Sequence, residues 1–293
     1  MRLVYLGTPE LAVPPLRALA LAGHDVALVV TRVDRRRGRG AATSPSPVKA
    51  AALELGIPVS HAVDDVLTVG ADLGVVVAFG RLIQAHVLDE LPMVNLHFSL
   101  LPRWRGAAPV ERALLAGDTA TGVAVMAVAN ELDSGDVYAC REVPIGPRAT
   151  LEELRGELVA VGTVLLVETL SGPLPTPVPQ RGEVTVAAKV RPEELHLDWT
   201  SPAGELDRWV RVGGAWTTFR GRRLKVLAAE PVDDVDDHVP PGSLTADGRV
   251  GTAVGMLRLL QVQPEGRSAM TWQDFANGAR PQSGERLGEP VQP

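Results

Sequence analysis

Apolar positions in the first half of the chain follow two alternating rhythms. Short apolar runs, RLVYLG (2–7), HDVALVV (24–30), GVVVAFG (74–80) and LPMVNLHF (91–98), predict strands, and the continuous run of GVVVAFG is that of a strand covered on both faces. Between the early runs, PELAVPPLRALALAG (9–23) and SPSPVKAAALELG (44–56) carry helical spacing, with prolines near the start and a glycine at the end. Further on, APVERALLAG (108–117) predicts a short helix, TGVAVMAV (121–128) and DVYACREVPI (136–145) predict strands, and ATLEELRGELVAVGTVLLVETL (149–170) predicts a long amphipathic helix. This alternation implies an α/β fold built on an open, mostly parallel sheet with helices on both faces.

The rhythm breaks at SGPLPTPVPQRGE (171–183), which has four prolines and no periodicity and predicts an extended interdomain linker. Beyond it, short strands separated by glycine turns (VTVAAKV, WTTFRGRRLKVLAAE, GSLTADGRVGTAVGMLRLLQVQP) and one helix in SPAGELDRWVRV (201–212) predict a small β-barrel, ending in an irregular tail. The expected division is therefore a first domain over 1–170, a linker over 171–183 and a β domain over 184–293.

Composition alters this picture little. A length of 293 residues fits two domains, and 45% hydrophobic with 22% charged residues is ordinary for a soluble protein. The single cysteine, Cys140, excludes a disulfide framework and a cysteine-based zinc site. No run approaches the ~18 consecutive apolar residues of a membrane span, and Gly7, Pro9, Glu10, Pro14 and Pro15 interrupt any secretory signal. A cytoplasmic protein is expected, without a membrane partner, and as a monomer, since no apolar surface periodicity demands a dimer. The net charge of −6 argues against wholesale polyanion binding, but basic residues concentrate in RVDRRRGRG (32–40) and FRGRRLKV (219–226), and a local patch suffices for a nucleic acid.

Candidate chemistry gathers at two places. After the first strand, LGTPELA (6–12) lacks the GxGxxG of a dinucleotide site, and Pro9 removes an amide that would cradle a phosphate, so a nicotinamide-dependent dehydrogenase is disfavoured. At the end of the 91–98 run, Asn95 and His97 stand two apart, hence on one face of a strand, at the C-terminal edge where α/β sheets place their sites. The step SLLP (99–102) follows, then Arg103, Trp104 and Arg105, suited to anionic or stacked partners. The loop NELDSGDVY (130–138) adds Asp133 and Asp136. A carboxylate to orient and charge-stabilise an imidazole, an imidazole to move a proton and an amide to donate to a developing oxyanion form an acid/base set. With no nucleophile elbow and no metal-ligand spacing, the set favours direct attack of an amine on a carbonyl-level carbon.

These motifs together, with TRVDRRRGRG, VVVAFGRLI and LQVQPEGRSAM, run in order across nearly the whole chain. They resemble the folate-dependent formyltransferases, for which N-x-H-x-S-L-L-P followed by an L-D-x-G loop is specific, and within them the branch that formylates initiator methionyl-tRNA. The resemblance implies a Rossmann-like catalytic domain joined to an OB-fold-like β-barrel, 10-formyltetrahydrofolate as co-substrate and no metal. It implies Asn95, His97 and Asp133 as the catalytic trio, and folate contacts from Ser99, Leu100, Leu101 and Pro102, with the pterin near Phe79, Leu82, Glu131 and Leu132. Asp136 is expected to serve the turn. Initiator methionyl-tRNA would meet Arg35, Arg36, Arg37 and Arg39 in the first basic loop and Arg220, Arg222 and Arg223 on the barrel. Rival expectations are a sugar-nucleotide N-formyltransferase, whose signature would lack the arginine loop and SPSPVK, and a catalytically idle RNA-binding relative, against which the intact trio speaks. The stretches 62–74 and 211–216 are shorter than the family pattern, and Phe98 stands where many members have glycine.

Overall fold

In the computed structural model, residues 1–36, 43–232, 239–245 and 247–289 are described, with the backbone alone for Arg35 and Arg36. The strands and helices in chain order are β1 (Arg2–Gly7), α1 (Val13–Leu21), β2 (Asp25–Val30), β3 (Arg35–Arg36), β4 (Thr43–Ser44), α2 (Pro47–Glu54), β5 (Val59–Ser60), β6 (Leu73–Val77), α3 (Ala85–Glu90), β7 (Met93–His97), β8 (Arg105–Gly106), α4 (Pro109–Ala116), β9 (Ala120–Ala127), β10 (Val137–Pro144), α5 (Leu151–Leu170), β11 (Val186–Ala187), α6 (Ala203–Val212), β12 (Trp216–Phe219), β13 (Arg222–Val232), β14 (Arg249–Gly251), β15 (Met256–Pro264), β16 (Met270–Thr271) and α7 (Trp272–Ala279). The chain forms two compact units: Met1–Val110, Ala120–Ile145 and Glu153–Ala188 make the first, and Glu111–Thr119, Gly146–Glu152 and Lys189–Pro293 the second.

The first unit is built on a seven-stranded sheet of order β10-β9-β7-β6-β1-β2-β5. The pairs from β7 across to β5 are parallel, and β9 and β10 add antiparallel strands at one edge. The continuous apolar run of β6 is buried throughout, as expected of a strand covered on both faces, and β1 and β7 beside it are buried nearly throughout. Strand alternation assigns the faces. Leu96 lies against α5, where a Cβ at Gly162 would stand 3.2 Å from both Leu96 methyls, so the flanking Asn95 and His97 turn to the opposite face. On that face Val4, Leu6, Leu28, Val30, Val76 and Met93 pack with Val66 and Val87. Pro47 opens α2 at its first turn, and the Ser46 hydroxyl caps it by accepting from the Lys49 N–H at 3.1 Å.

The region expected to be a linker does not run free. Val178 pairs with Val137, and Val186–Ala187, expected in the barrel, instead forms β11 beside β8 in the first unit. Among the described residues, no helix is long and apolar enough to cross a membrane.

The second unit holds a five-stranded antiparallel sheet of order β12-β13-β15-β14, with β16 on β15. The named strands form a half-barrel, and isolated bridges of Leu244 with Val250, Ser243 with Arg286 and Leu287 with Phe219 carry pairing from β14 back toward β12. The core gathers Trp199, Leu206, Val226, Leu257, Trp272 and Phe275. Helix α7 was not foreseen, although its start carries a signature: the Thr271 hydroxyl accepts from the Asp274 N–H at 3.1 Å. The tail is irregular as expected, but it is tied down. Leu287 is buried and bridges Phe219, and Arg220 donates from Nε and Nη2 to Glu285 at 2.5 and 3.0 Å.

The Arg220 guanidinium holds the Glu285 carboxyl below its ordinary range. A carboxyl depressed in the folded state stabilises above its unfolded pKa, and the contribution is lost as pH falls through the folded value. The pair is partly exposed, so Glu285→Gln should cost about 0.5–1 kcal/mol at neutral pH. Urea midpoints of the two proteins should differ at pH 7 and converge below about pH 4; a gap that stays constant into acid contradicts this account.

Candidate active site

Asn95 and His97 sit at the C-terminal end of β7, and strand pairing sets them opposite Met126 and Ala124 of β9. Because β9 runs antiparallel, the chain leaving its far end turns back over these residues. Two contacts fold this loop: the Ala127 N–H donates to Asp136 O, and the Val128 N–H donates to Met93 O, both at 2.8 Å. Asp136 therefore serves the turn through its carbonyl. Gly135 makes the close approach feasible, since a Cβ there would lie 2.0 Å from Ala127 O.

The loop delivers Asp133 in a left-handed conformation, φ 48°. Its carboxylate accepts from the Gly106 N–H at 2.8 Å and from Asn95 Nδ2 at 3.4 Å, and lies 3.7 Å from His97 Nδ1. Asn95, His97 and Asp133, predicted from separate stretches, thus meet around one carboxylate. His97 is buried, and its Nε2 lies 2.9 Å from Trp104 O. A carbonyl only accepts, so Nε2 carries the hydrogen, and Nδ1, facing Asp133, is the nitrogen left to take up or release a proton.

The segment 99–106 wraps this centre. Ser99 is fully buried and spends its hydroxyl on Arg103 O at 2.6 Å. Leu100 fits over Gly122, where a Cβ would come within 2.5 Å of its Cδ2. Leu101 is half-buried and Pro102 buried. Trp104 takes φ 63° and carries the Arg103 guanidinium over its ring at 4.5 Å. Of the four residues expected near a pterin, Phe79 is in the core, Glu131 is exposed, and Leu82 and Leu132 are 76% and 64% exposed. Leu132 directly precedes Asp133 in the loop.

Sequence reasoning missed several residues. Gly106 supplies an amide to Asp133 and has φ 124°. Thr185 Oγ1 accepts from the Trp104 N–H at 2.7 Å. Gln180 bonds both Arg105 and the Asp133 loop. The last two lie in or beside the proline-rich stretch, where no periodic or motif signal marks them.

Among the expected RNA-facing arginines, Arg37 and Arg39 lie outside the described residues, as do the side chains of Arg35 and Arg36, whose backbone pairs with Thr43–Ser44. Arg220 is engaged with Glu285 and the carbonyls of Ala279 and Arg280. Arg222 is exposed, 3.9 Å from Glu265, and Arg223 stacks over Trp216 at 4.3 Å.

Comparison with known proteins gives the family of the chain. Residues 1–170 match the formyl transferase family and residues 189–280 the formyl transferase C-terminal domain. A methionyl-tRNA formyltransferase of Thermobifida fusca is 44% identical over 310 residues, covering 99% of this chain and 100% of that protein. Among solved structures, HypX from Aquifex aeolicus in complex with tetrahydrofolic acid aligns with a TM-score of 0.65 at 18% identity, and this chain spans 49% of that protein. An N-formyltransferase from Helicobacter canadensis in complex with folinic acid and dTDP-3-aminofucose aligns with a TM-score of 0.67 at 13% identity, over 89% of this chain and 98% of that one. At these identities the two structures speak for the fold alone.

The Gly106 geometry can be tested directly. In Gly106→Ala, the new Cβ would meet Ala187 O at 2.9 Å on a backbone that L-residues rarely adopt. The substitution should cost about 1–3 kcal/mol, read as a lower urea midpoint; an unchanged midpoint would show that the turn relaxes freely.

Proposed function

The chain belongs to the formyltransferase family, aligned end to end with methionyl-tRNA formyltransferases, and on that premise we propose that it moves the formyl group of 10-formyltetrahydrofolate to the amino group of initiator methionyl-tRNA. The observation that carries the mechanism is the convergence of Asn95, His97 and Asp133 at one strand edge. The folate co-substrate supplies a one-carbon unit at the oxidation level of a carboxylic acid. Asn95 directs its amide N–H at the formyl oxygen, where negative charge gathers as the amine attacks. His97 takes up the amine's proton at Nδ1, with the Asp133 carboxylate 3.7 Å away balancing the charge, and gives it to N10 of the folate as the formyl C–N10 bond breaks and tetrahydrofolate leaves. The Trp104 carbonyl fixes the ring by holding Nε2–H. Ser99–Pro102 and the open faces of Leu82 and Leu132 form the folate side, with Phe79 beneath and Glu131 at the rim.

For the RNA, Arg35, Arg36, Arg37 and Arg39 are proposed to contact the acceptor end, with Arg222 and Arg223 following the phosphate backbone. Arg220, held by Glu285, would act there by shaping the hairpin. The reaction belongs to the start of translation, in the cytoplasm.

The test offers the protein 10-formyltetrahydrofolate with either charged initiator tRNA or amino-sugar nucleotides. Formylmethionyl-tRNA is expected, and product on the sugar alone would overturn the proposal. In the same assay His97→Ala should lose about 100- to 10,000-fold in turnover; a near-normal rate would remove His97 from the proton path.

A further inference from the structure

We propose that Gln180, in the proline-rich stretch after α5, is a positioning residue for the trio, setting Asp133 and Arg105 together. This role rests on the formyl-transfer reading above. The carboxamide is used on both sides. Its Oε1 accepts from Nε and Nη2 of Arg105 at 2.9 and 2.7 Å, and its Nε2 donates to Asp133 O and Gly135 O at 2.9 and 2.7 Å. A primary amide has two donors and a two-lone-pair acceptor, so the four bonds exhaust it and fix which way it faces.

Both ends of this bridge matter to the site. Asp133 occupies a left-handed conformation that a non-glycine residue holds only when its surroundings impose it. Its side chain is held by Gly106 N–H, but its backbone carbonyl is held by Gln180. Rotation of that peptide would swing the carboxylate away from His97 Nδ1. On the other side, Arg105 precedes Gly106, whose N–H meets the same carboxylate. Gln180 thereby ties together the two loops that close on Asp133. Thr185 adds to the hold on the first loop, accepting the Trp104 N–H at its hydroxyl and the Arg105 N–H at its carbonyl, 2.9 Å away. Among the described residues, the Arg105 guanidinium makes no ion pair. A neutral amide holds the cation without cancelling its charge, which a carboxylate in the same place would do.

The test compares the full-length chain with Gln180→Ala and with Gln180→Glu, a near-isostere that keeps an acceptor for Arg105 but has no donor for the two carbonyls. Each should lower kcat about 10- to 100-fold, with KM for 10-formyltetrahydrofolate and for methionyl-tRNA changed by less than about threefold. Because Gln180 acts through Asp133, adding Gln180→Ala to Asp133→Asn should cost less than about threefold more in single-turnover formylation. Unchanged kcat, or the full loss repeated in the Asp133→Asn background, would overturn the role. Amide hydrogen exchange of 127–137 reads the bridge without the reaction. It should quicken in Gln180→Ala, and unchanged exchange counts against the proposal whatever the substrate proves to be. A wild-type chain that forms no formylmethionyl-tRNA counts against the function reading alone.

Discussion

The Asp133 side chain is only 14% exposed, and a carboxyl withdrawn from water must be met by donors. Much of the local architecture follows from meeting it. The Gly106 N–H comes from one loop and the Asn95 amide from the end of β7, which also sets the His97 ring 3.7 Å from the carboxylate. For them to meet, the chain must turn back at the end of β9, which requires Gly135 against Ala127 O, and must swing past β8, which requires Gly106 at positive φ. The polar centre and the apolar sheet are thus one construction. Strand pairing of β7 with β9 fixes the distance that the loops then span.

The extent to which this was legible in the chain depended on the range of the interactions. Local signals carried far: the apolar runs marked the strands of the first sheet, and N-x-H at a strand end gave two members of the trio with their common face. Asp133 was identifiable because an L-D-x-G loop is a recognisable local pattern. Gln180 was not, because its chemistry arises from partners 45 to 75 residues away, and the surrounding prolines suggest a spacer. The same stretch shows how far composition informs: it correctly denies helix and sheet periodicity, yet it is silent on whether an extended segment is solvated or docked. Helix α7 escaped for a different reason. It lies in a stretch read as part of the strand-and-turn region and the irregular tail, and the Thr271–Asp274 cap is the local signal that announces it.

Arginine has several uses in the β domain, and sequence alone does not sort them. In FRGRRLKV, Arg220 closes a bidentate pair with Glu285, while Arg222 stands exposed and Arg223 lies on the Trp216 ring. Within one hairpin a fixed cation fastens the tail, and its neighbours keep charge at the surface. A net charge of −6 therefore says little about where a polyanion would find its counter-charge.

The hydrogen bonds from Gln180 and Thr185 also bear on where the catalytic module ends as a physical object. The first family match closes at 170, a natural place to cut the gene. A fragment cut there would keep every strand of the main sheet and the whole trio, yet it would lack the partners of Arg105, of the Asp133 carbonyl and of the Trp104 amide. The smallest piece that preserves the site extends past Ala187, whose carbonyl receives the Ala108 N–H. Domain-swapped chimeras of this family would have to carry the 171–188 strap with the catalytic half, because its origin, not its length, sets the registry of the loops above the sheet.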